Sequence, residues 1–150
     1  MIQKIISGGQ TGADRTALDW AIAHGIPHGG WCPAGRRAED GVIPERYCLR
    51  ETPARGYRQR TQWNVRDSDA TLIISLSAEL TGGSLATREW ANQVNRACLH
   101  VYPCPEWRAG LHSFAETHPI QILNVAGPRL SGASGIGQFV IEVLDEIFAC

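Results

Sequence analysis

Ile2-Gln3-Lys4-Ile5-Ile6-Ser7-Gly8-Gly9-Gln10-Thr11-Gly12-Ala13-Asp14 joins a short apolar run to a glycine-rich turn and then to a helical pattern. Ile2 to Ser7 reads as a strand. A helix follows from about Gly12 to His24, because Ala17, Leu18, Ala21 and Ile22 fall on one face. Thr11 and Asp14 have capping-box spacing, and Gly25 can close the last turn. A strand that passes through glycines into a helix is the opening unit of a parallel α/β sheet.

The same alternation continues downstream. Ile26 to Cys32 is a weaker second strand. Pro33 to Gly56 shows no periodicity and holds three Pro and five Arg, so it reads as a working loop or a disordered one. Tyr57 to Ser68 is helical and leads into the clearest strand, Ala70 to Leu76. Leu80 to Ser84 opens a third helix with Ala86, Trp90, Val94 and Ala97 on one face. Leu99 to Tyr102 is a strand, and the helix after Pro105 carries Trp107, Leu111 and Phe114. Ile120 to Ala126 is a fifth strand. The Gly/Ser loop from Gly127 to Gly135 precedes the strongest helical stripe, Ile136, Phe139, Val140, Val143, Leu144, Ile147 and Phe148. The fold expected is α/β: a Rossmann-like, doubly wound, mainly parallel five-stranded sheet with helices on both faces, in one domain over residues 1–150.

Composition excludes several function classes. The chain has 150 residues, 43% hydrophobic and 19% charged, too apolar for a disordered protein. A net charge of -1 weighs against a nucleic-acid module held by bulk positive charge. No apolar run approaches the roughly 18 residues of a membrane span, and the N-terminus lacks a signal-peptide pattern. A cytoplasmic protein without nucleic-acid or membrane partners is expected. Five cysteines without a C-x-x-C pair argue against a disulfide framework and a standard zinc site. Cys98, His100 and Cys104, like His28 and Cys32, have local spacing but no fourfold ligand pattern, so no structural metal is expected.

The chemistry should sit beyond the carboxyl ends of the strands. Three junctions there are rich in glycine and hydroxyl residues: Gly8, Gly9, Gln10, Thr11 and Gly12; Gly82, Gly83 and Ser84; and Gly127 with Arg129 and Ser131. Glycine lets backbone approach a ligand, and helix N-termini offer unpaired N–H groups to an oxyanion or phosphate. Neither G-x-G-x-x-G nor G-K-[ST] is present, which disfavours dinucleotide and P-loop chemistry. Thirteen of the fourteen basic residues are Arg, a residue suited to bidentate phosphate contacts. Arg36, Arg37 and Arg129 stand out among them because they lie in loops rather than on helix faces. Arg15 and Arg88 fall on helices, where a solvated charge is as good a reading.

Asp14 reads first as a capping residue, with a sugar hydroxyl or a cation as its alternative partner. Glu89 suits the dipole of the third helix, and its alternative role is general acid/base work. Asp67 and Asp69 read as helix–strand connection chemistry. Trp31 and Trp63 read as packing residues before they read as platforms for a flat ring.

Taken with Gly29-Gly30-Trp31-Cys32-Pro33, Gly35-Arg36-Arg37-Ala38-Glu39-Asp40-Gly41, Asn64-Val65 through Ser68-Asp69 and Leu80-Thr81-Gly82-Gly83, the opening motif resembles the molybdenum carrier family. That family is the circularly permuted YpsA-like branch of the SLOG superfamily, and the resemblance covers nearly the whole chain. It implies a Rossmann-like fold and a phosphate-bearing, nucleotide-like ligand. For carrier members it implies the molybdenum cofactor, a pterin with a terminal phosphate, bound by a homo-oligomer such as a dimer or tetramer. The wider superfamily includes Lonely Guy-type phosphoribohydrolases with the signature P-G-G-x-G-T-x-x-E. Thr81 to Glu89 is similar to it in the glycine pair and in Glu89, but Thr81 replaces the Pro, Leu85 the third Gly, and Thr87 comes one place late. The leading expectation is therefore a non-catalytic carrier. The alternatives are a nucleoside-monophosphate phosphoribohydrolase using Glu89, or a nucleotide sensor.

Overall fold

The computed structural model describes residues 1–150. Its elements in chain order are β1 (Lys4–Ile6), α1 (Ala13–Ala23), β2 (His28–Gly29), β3 (Trp31–Cys32), β4 (Arg37–Ala38), β5 (Gly41–Val42) and β6 (Arg50–Glu51). They continue with α2 (Tyr57–Arg66), β7 (Ala70–Ile74), α3 (Gly82–Gln93), β8 (Ala97–Val101), α4 (Trp107–Thr117), β9 (Ile122–Ala126) and α5 (Ile136–Phe148). The main sheet runs β2-β1-β9-β7-β8, with every pairing parallel. This is the α/β Rossmann-like architecture.

Strand alternation divides the two faces of the sheet. Ala70, Leu72 and Ile74 of β7 and Leu123 and Val125 of β9 join a 21-residue apolar core with α1, α4 and α5. The residues between them, Thr71, Ile73 and Asn124, point to the opposite face and are also buried. There Asn124 donates its side-chain N–H to Thr71 Oγ1 at 3.1 Å. Helices α2 and α3 pack together over this second face. One face is thus a dry core, and the other is polar enough to line a cavity.

The ends of α1 are built differently from each other. Its C-terminus is a Schellman closure: Gly25 takes φ 67°, its N–H reaches Ile22 O at 3.3 Å, and Ile26 N–H reaches Ala21 O at 2.9 Å. The expected capping box at the N-terminus does not form, and no side chain caps it. Gly12 precedes it at φ 81°, and Ala13 N–H donates to Pro128 O at 3.2 Å. Thr11 instead bonds Glu39, while Asp14 turns toward the polar face. Asp14 is therefore not a cap.

Three further expectations are corrected. The second strand splits, so that His28–Gly29 extends the main sheet while Trp31–Cys32 pairs with Arg50–Glu51. The segment between Pro33 and Gly56 is built rather than irregular, because Ile43 and Tyr47 are fully buried with Leu18 and Cys32 in a small second core. Two-residue strands leave no periodicity to read. On α3 the buried residues are Thr87 and Ala91; Ala86 and Val94 are exposed, and Ala97 belongs to β8. The helix covers a polar face, so its inward side is small and polar instead of apolar.

Candidate functional site

The sheet reverses its winding between β1, which leads outward to β2, and β7, which leads outward to β8. Such a switch point leaves a crevice at the carboxyl ends of the strands. A cavity of about 420 Å³ lies there. All three glycine-rich loops reach it: Gly8 and Gln10 after β1, Thr81 to Ser84 before and within α3, and Gly127 to Arg129 after β9. Asn64 of α2, Thr87 of α3 and Asn124 of β9 add polar side chains from the second face.

The electrostatic centre is Arg60 of α2. Its Nη1 donates to Asp14 Oδ2 at 2.8 Å, and the two side chains are only 14% and 5% exposed. Gly8 makes this approach possible, since a Cβ there would overlap Arg60 Nη1. Burial pushes the Asp14 carboxyl up; the Arg60 guanidinium and the Gln10 N–H, at 3.3 Å, oppose that shift. Arg60 Nε has no acceptor within the protein. The guanidinium carbons of Arg37, Arg60 and Arg129 lie 5.3, 5.4 and 5.9 Å from the Tyr57 ring centroid. Gly82, Gly83 and Ser84 add the first turn of α3, which no side chain caps. Guanidinium groups and helix-terminal N–H groups thus share one space, a set of donors of the chemical type that pairs with oxyanions.

Of the residues singled out in the sequence, Gly8, Gln10, Gly82, Gly83, Ser84, Gly127 and Arg129 line this cavity. Gly9, Thr11, Gly12, Arg36 and Ser131 do not. Gly9 backs onto the side chains of Leu49 and Ile43. Thr11 and Gly12 line a separate depression with Arg15, Asp40 and the start of α5. The Glu39 carboxylate accepts hydrogen bonds from Thr11 Oγ1 and from Ser131 N and Oγ, and the Ser131 and Thr11 hydroxyls hold its pKa below the ordinary range. This clasp ties the β1–α1 loop to the loop after β9.

Arg36 lies outside the cavity and serves as a structural post. It takes φ 54°, and its guanidinium donates to the carbonyls of Ile43, Leu49, Pro44 and Tyr47 at 2.8–3.4 Å. Arg36→Ala should lower stability by about 2–3 kcal/mol through the lost charge-assisted bonds. Thermal unfolding reads that loss, and a phosphate titration of the folded variant should match the unsubstituted chain.

Glu89 stands outside the cavity, in a groove between α2 and α3 that adjoins it. Asp14 is the one carboxylate on the cavity wall. Trp31 and Trp63 meet edge to face at 4.7 Å, and the Trp31 indole N–H donates to Asp67 at 2.8 Å. Asp69 accepts from the N–H groups of Gln121 and Ile122 at 3.0 and 2.8 Å, which fixes the entry to β9. No group of three or more His, Cys, Asp or Glu side chains is placed to hold a metal ion. Tyr57, Arg60, Thr87 and Asn124 line the cavity with no signal of a site in the sequence, and Asn64 stands out there only as part of a motif. Arg60 on a helix reads as a solvated charge, and its partner lies 46 residues away.

Fold and cavity together define a Rossmann-like α/β protein with a crevice lined by glycine loops and arginines at its switch point. The chain belongs to the circularly permuted YpsA SLOG family, whose model matches residues 5–148. It is similar to a crystal structure of a "Putative molybdenum carrier protein" from Syntrophus aciditrophicus SB, with 48% identity and a TM-score of 0.91 over 97% of this chain and 94% of that one. No curated protein matches the chain. No helix is long and apolar enough to cross a membrane.

Proposed function

We propose that this chain is a non-catalytic binding or carrier protein for a phosphorylated ring compound of the molybdenum-cofactor type. The observation that carries the reading is the pair Arg60 and Arg129 beside Tyr57, facing the uncapped start of α3 across one cavity. These donors suit phosphate or a metal oxyanion such as molybdate, both of which accept hydrogen bonds and carry negative charge. The cavity's one carboxylate, Asp14, is already engaged by Arg60, and a paired acid supports holding a ligand better than cleaving it. The name of the similar crystal structure supports molybdenum-related cargo. A homo-oligomer fits the same family reading.

Charge-assisted hydrogen bonds contribute about 1.5–3 kcal/mol each, or roughly 10- to 150-fold in affinity. Arg129→Ala should therefore weaken phosphate and molybdate binding by at least about tenfold while leaving the fold intact, because Arg129 sits on an exposed loop. Isothermal titration with each anion measures this. Unchanged affinity removes Arg129 from the site.

A further inference from the structure

Asp14 stands in the first turn of α1 on the cavity wall, 3% exposed, and no other carboxylate lines that space. The hydrogen bonds it accepts fall on one side. Arg60 Nη1 at 2.8 Å and Gln10 N–H at 3.3 Å both donate to Oδ2. The Ser7 hydroxyl lies close by but gives its proton to Val125 O at 2.7 Å, so Oδ1 accepts nothing from the protein. The other charged groups on the wall are the guanidinium cations of Arg60, from α2, and Arg129, from the loop after β9; Tyr57 adds a phenol. The cavity thus surrounds a ligand with donors and one open acceptor oxygen.

We propose that Asp14 decides which oxyanion the cavity prefers: the bound ion shares one proton with the open carboxylate oxygen, so hydrogen phosphate, which brings that proton, is taken over fully ionised sulfate or molybdate. The inference rests on the oxyanion reading above and deepens it from charge to protonation state. An ionised carboxylate only accepts hydrogen bonds, and so does every oxygen of sulfate or molybdate. An ion drawn in by Arg60 and Arg129 sets acceptor against acceptor at Asp14, and two like charges at contact distance cannot both stay ionised. Hydrogen phosphate removes the conflict. Its P–OH donates to Oδ1 while its other oxygens accept from the guanidinium groups and the start of α3.

An ion without a proton must draw one from solvent, and that proton comes to rest between Asp14 and the ion. Burial already favours the protonated Asp14 carboxyl, which eases the uptake. Phosphate monoesters behave like molybdate above their second pKa of about 6. For both, affinity falls by up to about tenfold per pH unit, the linkage of one proton. Inorganic phosphate keeps its own proton across the same range, so its affinity stays nearly level. On this account Asp14 is a specificity residue that discriminates by an unpaired charge.

Isothermal titration of the intact chain with inorganic phosphate, sulfate and molybdate tests this, at pH 7.5 and pH 8.5 and in two buffers of different ionisation enthalpy. Phosphate should bind at least about tenfold tighter than sulfate or molybdate at pH 8.5, with no net proton taken up. Molybdate should weaken by about tenfold between the two pH values, and the buffer comparison should show one proton taken up per ion. Asp14→Asn, once thermal unfolding shows that it is folded, should lose both the preference and the pH dependence; the proton count on the unsubstituted chain decides the matter without it. Sulfate or molybdate binding as tightly as phosphate, with no proton uptake, overturns the inference while the oxyanion site stands. A preference for phosphate that survives Asp14→Asn overturns it too. If none of the three ions binds, the oxyanion reading itself fails and this inference falls with it.

Discussion

Replacing Arg60 with Ala should cost about 3–5 kcal/mol of stability near neutral pH, the usual penalty for leaving a buried ion without its partner. Asp14 would keep its burial and lose the guanidinium 2.8 Å away. Its carboxyl is already pushed up by burial against the opposing pull of Arg60, so removing Arg60 raises it further. The pH dependence then has a definite sign. The folded variant holds the Asp14 proton to higher pH than the unfolded chain does, so its stability falls as pH rises above the ordinary Asp range and through the raised folded value. Urea unfolding at pH 5 and pH 8 reads this directly: the deficit should be larger at pH 8. The double variant Arg60→Met with Asp14→Asn, which has no buried charge, should recover much of the loss and flatten the pH dependence. Equal deficits at both pH values would contradict the assignment of Asp14 as a buried, Arg60-dependent carboxylate.

Gly127→Ala should be, with Gly12→Ala, among the most damaging of the glycine substitutions in the three loops, since a Cβ at either position would meet backbone atoms at under 3 Å. A Cβ at Gly127 would overlap the carbonyl oxygen of Ile74 and come within 2.6 Å of the Ala13 Cβ. Both neighbours are fixed, one being the backbone at the end of β7 and the other the buried first residue of α1. Overpacking against backbone should exceed the ordinary range and cost at least about 3 kcal/mol, a fall of roughly 6–12 °C in Tm for a domain of this size. Gly83→Ala is the contrast. Nothing lies within 4 Å of a Cβ there, so the chain should fold normally with a methyl added to the cavity wall. Thermal unfolding separates the two. A Gly127→Ala protein as stable as Gly83→Ala would mean that the β9 and α1 loops do not meet as described.

The contrast between these glycines also explains what the sequence could and could not convey. Long periodic elements were legible: α5, α4, β7 and the strand–glycine–helix opening all stand close to where their apolar patterns put them. The three glycine loops were legible as a group because parallel α/β winding brings strand exits to one edge. What each glycine does was not legible. Gly8 makes room for Arg60, Gly127 packs against Ile74 and Gly9 backs onto Leu49 and Ile43, although all three sit in similar loops.

Pairings across long separations were hidden altogether. Asp14 has capping spacing in sequence, but its partner comes from α2, and Thr11 and Ser131 are drawn together by Glu39 from the β4–β5 turn. Arg36 stood out because it lies in a loop, yet four backbone carbonyls claim its guanidinium. The stripe on α3 was misread for a related reason. An apolar face suggests a core, whereas here Trp90 and Ala86 line an open groove and the sheet side belongs to Thr87 and Ala91.

Native mass spectrometry of the purified chain would decide whether it holds a ligand intact in the crevice. The chain would be incubated with molybdate, with GMP and with molybdenum cofactor, beside an Arg129→Ala sample and with the small-molecule fraction analysed. The expected result is one intact ligand per chain, retained without turnover and lost in the variant, with the same spectra reporting the oligomer. Release of free guanine and ribose 5-phosphate from GMP would contradict it, making the protein a hydrolase. Retention indifferent to Arg129 would place the ligand somewhere other than the crevice between the three glycine loops.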